Sequence, residues 1–322
     1  MTRDQFIATL NQWAFEKIPF LFLVDFEELK PIAVRLDDLN AGNILYDFGG
    51  VTNVVTKGTP VVANIEKHPV SFEEYSRRFQ TVFSHLERGD SFLTNLTIKT
   101  PIQSNLSLLE LYHRSVARYK LYFKDQFIFF SPEPFIRIVD GKIFSYPMKG
   151  TIDASLPGAR EIILNDRKEM AEHVTIVDLI RNDLSQVAAE VKVKRFRYVD
   201  EIKTSHSRLL QVSSEVEGVL TEKYLRNLGD LIQVLLPAGS ISGAPKKRTV
   251  EIIREAEREP RGYYTGVCGL FNGTNLDSCV MIRFIEKTHG VMYYRSGGGI
   301  TTQSDARREY DEAIDKIYVP VN

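Results

Sequence analysis

Short apolar runs bounded by Asp, Asn, Gly or Pro recur along the chain, and this pattern is typical of β-strands. They predominate in residues 1–70, so we predict a β-rich N-terminal part. Asp140-Gly141 separates two such runs and favours the tight turn of a β-hairpin. The predicted strands cover residues 20–26, 44–46, 121–123, 127–130, 136–139, 142–146, 191–198, 212–220, 264–271, 280–286 and 291–295.

Other segments carry apolar residues at helical spacing, often behind a capping signal. Ser71 and Glu74 form a capping-box pattern before a stripe that ends at Gly89, and Ser107 with Glu110 repeats the pattern. Pro245 suits the first position of a helix, because its fixed φ and missing N–H cost nothing there. Helices are also predicted at residues 166–187, up to about 236, 245–259 and from Ser304 onward.

Strands in antiparallel hairpins with helices inserted between them indicate an α+β fold with helices outside packed sheets. The sequence contains no Pro/Ser-rich linker, low-complexity tract or repeat that would mark a domain boundary. We therefore expect one domain over residues 1–322.

Composition narrows the classes of partner and location. The 322 residues carry a formal net charge of -1 and are 43% hydrophobic, with no basic excess of the kind that nucleic-acid or membrane surfaces attract. Neither an apolar stretch of about 18 residues nor a signal-peptide pattern is present, so we expect a cytoplasmic protein. Cys268 and Cys279 lie in apolar, strand-like sequence and are interpreted as reduced core thiols.

Two predicted helices each carry a pair of glutamates at i, i+3 spacing, which places each pair on one helical face. The pairs are Glu169 with Glu172 and Glu309 with Glu312, and Lys316 follows the second pair by one turn. Four converging carboxylates would repel one another unless a hard cation such as Mg²⁺ lay between them. Solvated surface glutamates are the alternative interpretation.

Two Gly-rich segments, 239–246 and 296–299, are interpreted as turns before helix starts, where free backbone N–H groups could bind anions. Neither fits the phosphate-loop or dinucleotide fingerprint, and either could be an ordinary turn. Arg283 lies in the predicted strand 280–286, where alternation would place it on one side with Met281 and Ile285. Lys149 follows a predicted strand and could be a nucleophile if it were neutral, or a solvent-facing lysine.

Taken together and in order, eight motifs resemble the chorismate-utilising enzyme family, which includes the synthase subunits for anthranilate and aminodeoxychorismate and the isochorismate synthases. The motifs span about residues 90–317 in the order found in that family. They are Ser131-Pro132-Glu133, Pro147-Met148-Lys149-Gly150-Thr151, Lys168-Glu169-Met170-Ala171-Glu172-His173, residues 176–183, residues 239–246, residues 261–266, Gly297-Gly298-Gly299 and Glu309-Tyr310-Asp311-Glu312.

The resemblance implies a single chorismate-binding catalytic domain over residues 1–322, with residues 71–322 as its catalytic core. It also implies two packed, largely antiparallel β-sheets with helices outside, in α/β/β/α layers. A lysine at the position of Lys149 resembles the aminodeoxychorismate synthases in particular. The expected reaction is therefore amination of chorismate at C4 with ammonia, on the route to p-aminobenzoate.

The resemblance further implies roles for individual residues. Mg²⁺ would bind Glu172 and Glu312, directly or through water, with Glu169 and Glu309 around them, and would hold the ring carboxylate of chorismate. Lys149 would add to C2 of the substrate, and Glu133 would act as general acid and base. The implied substrate-binding residues are Ser242, Tyr264, Arg283, Gly297, Gly298, Gly299 and Lys316. For Lys149 to be nucleophilic, burial and the metal are expected to lower its pKa.

One departure from the family concerns Gln211, which stands where a histidine is usual; His206 could occupy the same space. The sequence also shows no glutaminase nucleophile with a histidine partner, so a glutamine amidotransferase subunit is expected to deliver the ammonia. Two alternatives remain open. The first is anthranilate synthase component I, and the second is a non-catalytic anion-binding or regulatory protein.

Overall fold

The computed structural model describes residues 1–40, 42–54, 63–203 and 208–320. The α-helices are α1 (Arg3–Phe15), α2 (Phe72–Glu87), α3 (Leu108–Arg114), α4 (Ala159–Asn165), α5 (Arg167–Ser185), α6 (Glu222–Arg226), α7 (Leu228–Leu235), α8 (Gly239–Ser242), α9 (Lys246–Glu257) and α10 (Ala306–Asp315). The first nine strands are β1 (Phe20–Val24), β2 (Ile32–Arg35), β3 (Ile44–Phe48), β4 (Val51–Thr52), β5 (Ile65–Lys67), β6 (Leu93–Ser104), β7 (Tyr119–Phe123), β8 (Phe127–Ser131) and β9 (Pro134–Val139). The other nine are β10 (Lys142–Ser145), β11 (Met148–Asp153), β12 (Ala188–Lys203), β13 (Arg208–Leu220), β14 (Gly243–Ala244), β15 (Val267–Phe271), β16 (Leu276–Val280), β17 (Phe284–Thr288) and β18 (Val291–Ile300).

Within the described ranges the strands form two antiparallel sheets. The first sheet has the order β11-β13-β10-β9-β16-β15-β1-β2, with β12 paired to β13. The second has the order β14-β6-β18-β17-β8-β7-β3-β4, with β5 paired to β6. Both sheets combine local hairpins with strands that are distant in sequence, such as β1 beside β15 and β6 beside β18.

The hydrophobic core lies between the sheets and on both of their outer faces. Leu21, Leu23 and Leu270 of the first sheet pack against Tyr46 and Phe129 of the second. On the outer faces, α1, α5 and α7 cover the first sheet, while α2, α9 and α10 cover the second. The α+β class and the α/β/β/α order of layers are confirmed.

Several helices begin where their capping residues predict. The Ser71 hydroxyl accepts a hydrogen bond from the Glu74 amide at the start of α2, and Ser107 with Glu110 forms a complete capping box at α3. Asp166 caps α5 through the Glu169 amide. Because α5 carries one glutamate pair, this cap fixes where that pair begins.

Helix α1 was not predicted, and three local predictions were wrong. Helix α1 starts at a capping box made by Thr2 and Gln5, ahead of the five strands β1 to β5 that lie within residues 1–70. The first three residues of the predicted strand 264–271 lie outside β15, which begins at Val267. The predicted strand 280–286 is two strands in different sheets, because the chain crosses between the sheets at Arg283, which has a φ of +51°. The last helix begins after Asp305, which caps it in place of Ser304.

The glycine motif 297–299 is also not a turn. These residues lie inside β18 and pair with Thr97, Leu96 and Asn95 of β6. A Cβ atom at Gly297 would collide with the Leu96 carbonyl oxygen, so the close approach of the two strands requires glycine there.

Candidate functional site

Lys149, the two glutamate pairs and the glycine motif meet at a seam between the two sheets. Lys149 lies on β11 at one end of the first sheet, and the glycine motif lies on β18 of the second. A Cβ atom built on Gly299 would lie 3.9 Å from Lys149 Nζ. Helix α5 packs against β11 and helix α10 against β18, so each glutamate pair approaches the seam from its own sheet.

Lys149 forms an ion pair with Glu172, whose side chain is 8% exposed while that of Lys149 is 26% exposed. Burial favours the neutral amine, but the carboxylates of Glu172, Glu169 and Glu312 outweigh it, and the pKa of Lys149 is raised. Burial thus acts in the expected direction, and the lowering of the Lys149 pKa by burial together with the metal stays a prediction.

The two glutamate pairs reach opposite sides of the same space. A Cβ atom at Gly150 would lie 3.1 Å from Glu169 Oε2 on the α5 side. On the α10 side, a Cβ atom at Gly298 would lie 3.4 Å from Glu309 Oε2 and 3.9 Å from Glu312 Oε1. The pairs are therefore not surface charges on unrelated faces, since they converge around the glycine motif and Lys149.

The chemistry of these donors fits Mg²⁺, which prefers carboxylate oxygens together with water and substrate oxygens. Glu172 and Glu309 are only 8% and 7% exposed, and buried carboxylates need compensating positive charge. In the described residues, no three acidic, His or Cys side chains are drawn together as a ready ligand cluster. The ammonium group of Lys149 compensates Glu172, and that of Lys316 lies 2.6 Å from Glu312, the exposed member of the second pair.

Lys316 also shows which way the glycine backbone faces. Its Nζ donates to the Gly297 carbonyl oxygen at 3.0 Å, and the partner of Gly297 on β6, Thr97, donates its own N–H to Glu257 at 2.8 Å. Gly297 and Thr97 therefore form a non-hydrogen-bonded pair of the antiparallel ladder. Alternation then turns the N–H groups of Gly297 and Gly299 away from β6, whereas the N–H of Gly298 points into the ladder. Of the three predicted anion-binding amides, the strand geometry frees two.

Glu133 lies between β8 and β9, and its Oε1 accepts a hydrogen bond from Ser240 Oγ at 2.5 Å. Burial raises the pKa of Glu133, while Ser240 and the positive charges of Lys149, Lys316 and Arg283 oppose the rise. Glu133 is therefore close enough to the charged residues of the seam for them to affect its pKa. A carboxyl group whose pKa is raised remains protonated at higher pH, as a general acid requires.

Three other predicted binding residues, Ser242, Tyr264 and Arg283, contact groups other than the glutamate pairs. Ser242 is fully buried, and its hydroxyl donates to the Ala238 carbonyl oxygen at 2.9 Å, so it stabilises its own loop. Tyr264 is buried, and burial raises its pKa to about 12, which keeps the phenol neutral. Arg283 donates to the Lys316 carbonyl oxygen at 3.3 Å at the end of α10.

Charged residues whose contacts were not predicted from the sequence hold the loop 236–245, which includes the short helix α8 with Ser240. Lys246 Nζ lies 3.0 Å from Asp183 Oδ2 of α5 and also donates to the Leu235 carbonyl oxygen, which ties the two ends of the loop together. Arg261 donates to the Ile241 carbonyl oxygen at 3.1 Å in the middle of the loop. Lys246 and Arg261 lie beside Pro and charged residues, so no local pattern separated them from exposed charges, although charged residues must find partners when buried.

The position that departs from the family pattern lies close to the nucleophile candidate. Gln211 on β13 pairs with Thr151 of β11, and its neighbour Val212 pairs with Lys149. His206, the other residue considered for this space, lies outside the described residues.

Comparison with known proteins gives matches over nearly the whole chain. An uncharacterized PabA-like protein of Haemophilus influenzae is 48% identical over 320 residues, which cover 99% of this chain and 98% of that protein. Anthranilate synthase component 1 of Acetivibrio thermocellus is 33% identical, over 80% of this chain and 53% of its own length. Aminodeoxychorismate synthase component 1 of Bacillus subtilis is 32% identical, over 80% of this chain and 57% of its own length. The chain thus spans slightly more than half of each of these two synthases.

A solved structure agrees with the sequence matches. Anthranilate synthase component I from Streptococcus pneumoniae superposes with a TM-score of 0.68 at 27% identity, over 79% of this chain and 58% of that one.

In the described part of the chain, every helix is too short or too polar to cross a bilayer. The family model described as chorismate binding enzyme matches residues 38–322, which include all the residues of the seam. The chain belongs to the chorismate binding enzyme family.

Proposed function

We propose that this protein is the synthase subunit of an aminodeoxychorismate synthase, which aminates chorismate at C4 with ammonia to give 4-amino-4-deoxychorismate. The observation that carries the proposal is the position of Lys149, whose ammonium group contacts Glu172 and lies beside the glycine motif. An amine between carboxylates and free backbone amides is well placed to meet a dicarboxylate ring.

The proposed chemistry uses Lys149 as a nucleophile. Its neutral amine forms a bond to C2 of chorismate, both conjugated ring double bonds shift, and the C4–O bond breaks as Glu133 donates a proton, so that water leaves. Ammonia then forms a bond to C4, both double bonds shift back, and the C2–N bond of the protonated adduct breaks, which returns Lys149 as a neutral amine. The Glu133 carboxylate takes the extra proton of the new C4 ammonium group and is ready to act again as the acid. Covalent catalysis divides one difficult displacement into two easier ones.

Lys149 must lose a proton before it can act, and the carboxylates around it oppose that loss. Bound at Glu172 and Glu312, with Glu169 and Glu309 nearby, Mg²⁺ would supply positive charge that neutralises these carboxylates and binds the ring carboxylate of the substrate. Glu172 would then release Lys149, whose burial favours the neutral amine.

Substrate binding is assigned to backbone amides and to basic and phenolic side chains. The free amides of Gly297 and Gly299 and the ammonium group of Lys316 would hold the ring carboxylate. Arg283 and Tyr264 would bind the enolpyruvyl carboxylate, for which the guanidinium group supplies two parallel donors. Ser242 keeps the predicted role only as an acceptor or through its loop, since its hydroxyl already donates to Ala238.

The ammonia is proposed to come from a separate glutamine amidotransferase subunit, and the complex to act in the cytoplasm. Cys268 and Cys279 are both buried free thiols, and burial raises the pKa of each. Neither thiol suits a glutaminase nucleophile, which must ionise readily. Free thiols are also typical of a reducing compartment.

Anthranilate synthase is the competing activity, and sequence identity does not separate the two, because relatives with each name match at 33% and 32%. Incubation of the purified chain with chorismate, Mg²⁺ and ammonium, followed by mass spectrometry of the product, separates them. We expect an aminated product that keeps the enolpyruvyl group. Release of pyruvate with anthranilate would reject the proposal, and no conversion at all would favour a non-catalytic binding protein.

A further inference from the structure

The hydroxyl group of Ser240 lies at the proposed general acid. It donates to Glu133 Oε1 at 2.5 Å, in a contact between residues 107 positions apart in the sequence. No other side-chain hydrogen bond to the Glu133 carboxyl group is seen among the described residues. The contact joins the loop before α9 to the end of β8.

The surrounding structure leaves Ser240 little freedom to move. Gly239, the preceding residue, packs so closely on α5 that a Cβ atom there would lie 2.9 Å from Asp183 Oδ2. Lys246 binds that same Asp183 oxygen and the Leu235 carbonyl oxygen, and Arg261 binds the carbonyl oxygen of Ile241, the next residue. Buried, hydrogen-bonded charges thus fix the loop on both sides of Ser240.

From this geometry we propose that Ser240 is a positioning residue, whose hydroxyl holds Glu133 in the orientation for proton transfer and stabilises its carboxylate form. The role in proton transfer rests on the proposed function, whereas the contact between Ser240 and Glu133 rests on the hydrogen bond alone. Ser240 acts through Glu133 and need not touch the substrate.

The form of Glu133 that Ser240 stabilises decides in which direction the pKa of Glu133 moves when the hydroxyl is removed. A hydroxyl that donates to a carboxylate favours the ionised acid, so its removal raises the pKa of that acid. The other charges that act on Glu133 are Lys149, Lys316 and Arg283, and all three also favour the carboxylate. These three charges remain in a Ser240 variant, so a change in the pKa of Glu133 in that variant comes from the loss of the serine hydroxyl.

The test compares Ser240→Ala, which deletes the hydroxyl, with Ser240→Thr, which keeps it. In protein labelled with ¹³C at the glutamate side-chain carboxyl carbon, the Glu133 resonance is assigned by its loss in Glu133→Gln and then titrated with pH. We expect the midpoint to move to higher pH in Ser240→Ala and to stay near the original value in Ser240→Thr. An unchanged midpoint in Ser240→Ala would overturn the proposal.

Steady-state kinetics provide the second readout. Because Glu133 loses the hydrogen bond that orients it, we expect kcat of Ser240→Ala to fall roughly 10- to 100-fold with little change in KM, and Ser240→Thr to recover most of it. Equal losses in both variants would contradict a role for the hydroxyl. If wild-type protein makes no aminated product while the resonance still shifts, the proposed function fails and the Ser240–Glu133 contact stands.

Discussion

Arg261 and Glu257 form a two-pronged ion pair in the protein interior, in which Nε and Nη2 of the arginine donate to the two carboxylate oxygens at 2.9 and 2.6 Å. Their side chains are 1% and 2% exposed. Glu257 also accepts from the Thr97 amide, and Arg261 donates to the Asn95 carbonyl oxygen, so the pair binds the edge of β6 that faces away from β18. The pair therefore supports the strand that holds the glycine motif in place.

This pair gives a prediction about stability. Arg261→Ala leaves Glu257 buried without its partner, and breaking a buried pair in this way costs about 3–5 kcal/mol. Urea unfolding should show a loss of that size in the free energy of unfolding. Arg254→Ala on the exposed face of α9 is the matched control and should change it by less than about 0.5 kcal/mol. Similar losses in the two variants would contradict the structural role of the pair.

Lys149→Ala should remove the nucleophile of the proposed reaction. We expect kcat/KM to fall by about a thousandfold or more, equivalent to more than about 4 kcal/mol of transition-state stabilisation, while the fold is kept. Product formation from chorismate and ammonium measures the loss, and circular dichroism checks the fold. Lys149→Arg keeps the charge beside Glu172 but not a nucleophilic amine, so it should be equally inactive. Activity in the arginine variant would show that charge alone is needed.

Mg²⁺ binding should depend on both helices. Calorimetric titration of metal-free protein with Mg²⁺ should show a site that Glu172→Gln and Glu312→Gln each weaken, because each removes a carboxylate from a different side of the seam. Chelation of the metal should abolish turnover, and added Mg²⁺ should restore it. Glu73→Gln, at an exposed position of α2, is the control and should bind Mg²⁺ as the wild type does. Unaltered Mg²⁺ affinity in both seam variants would place the metal elsewhere.

The pH dependence should report Glu133. Burial raises its pKa above the ordinary 4.5, and the first proposed step needs the protonated acid. Activity that depends on this acid is therefore present below its raised pKa and is lost as the pH rises through it. Glu133→Gln should lower kcat about 10²–10⁴-fold and flatten this limb of the profile. If the limb stays in the glutamine variant, another group is the acid.

Two adjacent glycines should respond differently to alanine. A Cβ atom at Gly297 would collide with backbone of β6, so Gly297→Ala should lose roughly 1–3 kcal/mol of stability or more. A Cβ atom at Gly298 would lie 3.4 Å from Glu309 Oε2 and point into the seam, so Gly298→Ala should fold but bind chorismate less well. Thermal unfolding and KM measure the two effects. A destabilised Gly298→Ala variant with normal KM would contradict this account of the seam.

Much of the fold could be predicted from local signals, because they act within a few residues of one another. The caps at Ser71 and Ser107, the stripe of α5 and the Asp140-Gly141 hairpin all have this character. Predictions that used periodicity alone failed where tertiary structure overrides it. Residues 280–286 keep strand-like alternation although the chain leaves one sheet and enters the other at Arg283.

The sequence by itself determined the family, the glutamate pairs and Lys149 as candidates, since these depend on residue type and spacing. Only the tertiary structure decided which groups meet: Lys149 with Glu172, Lys316 with Gly297, and Ser240 with Glu133. It also decided that the glycine motif is a strand and that Ser240 reaches the acid. The physical reason is that each of these contacts joins residues far apart in the chain, and sheet pairing and burial, which bring them together, leave no local mark.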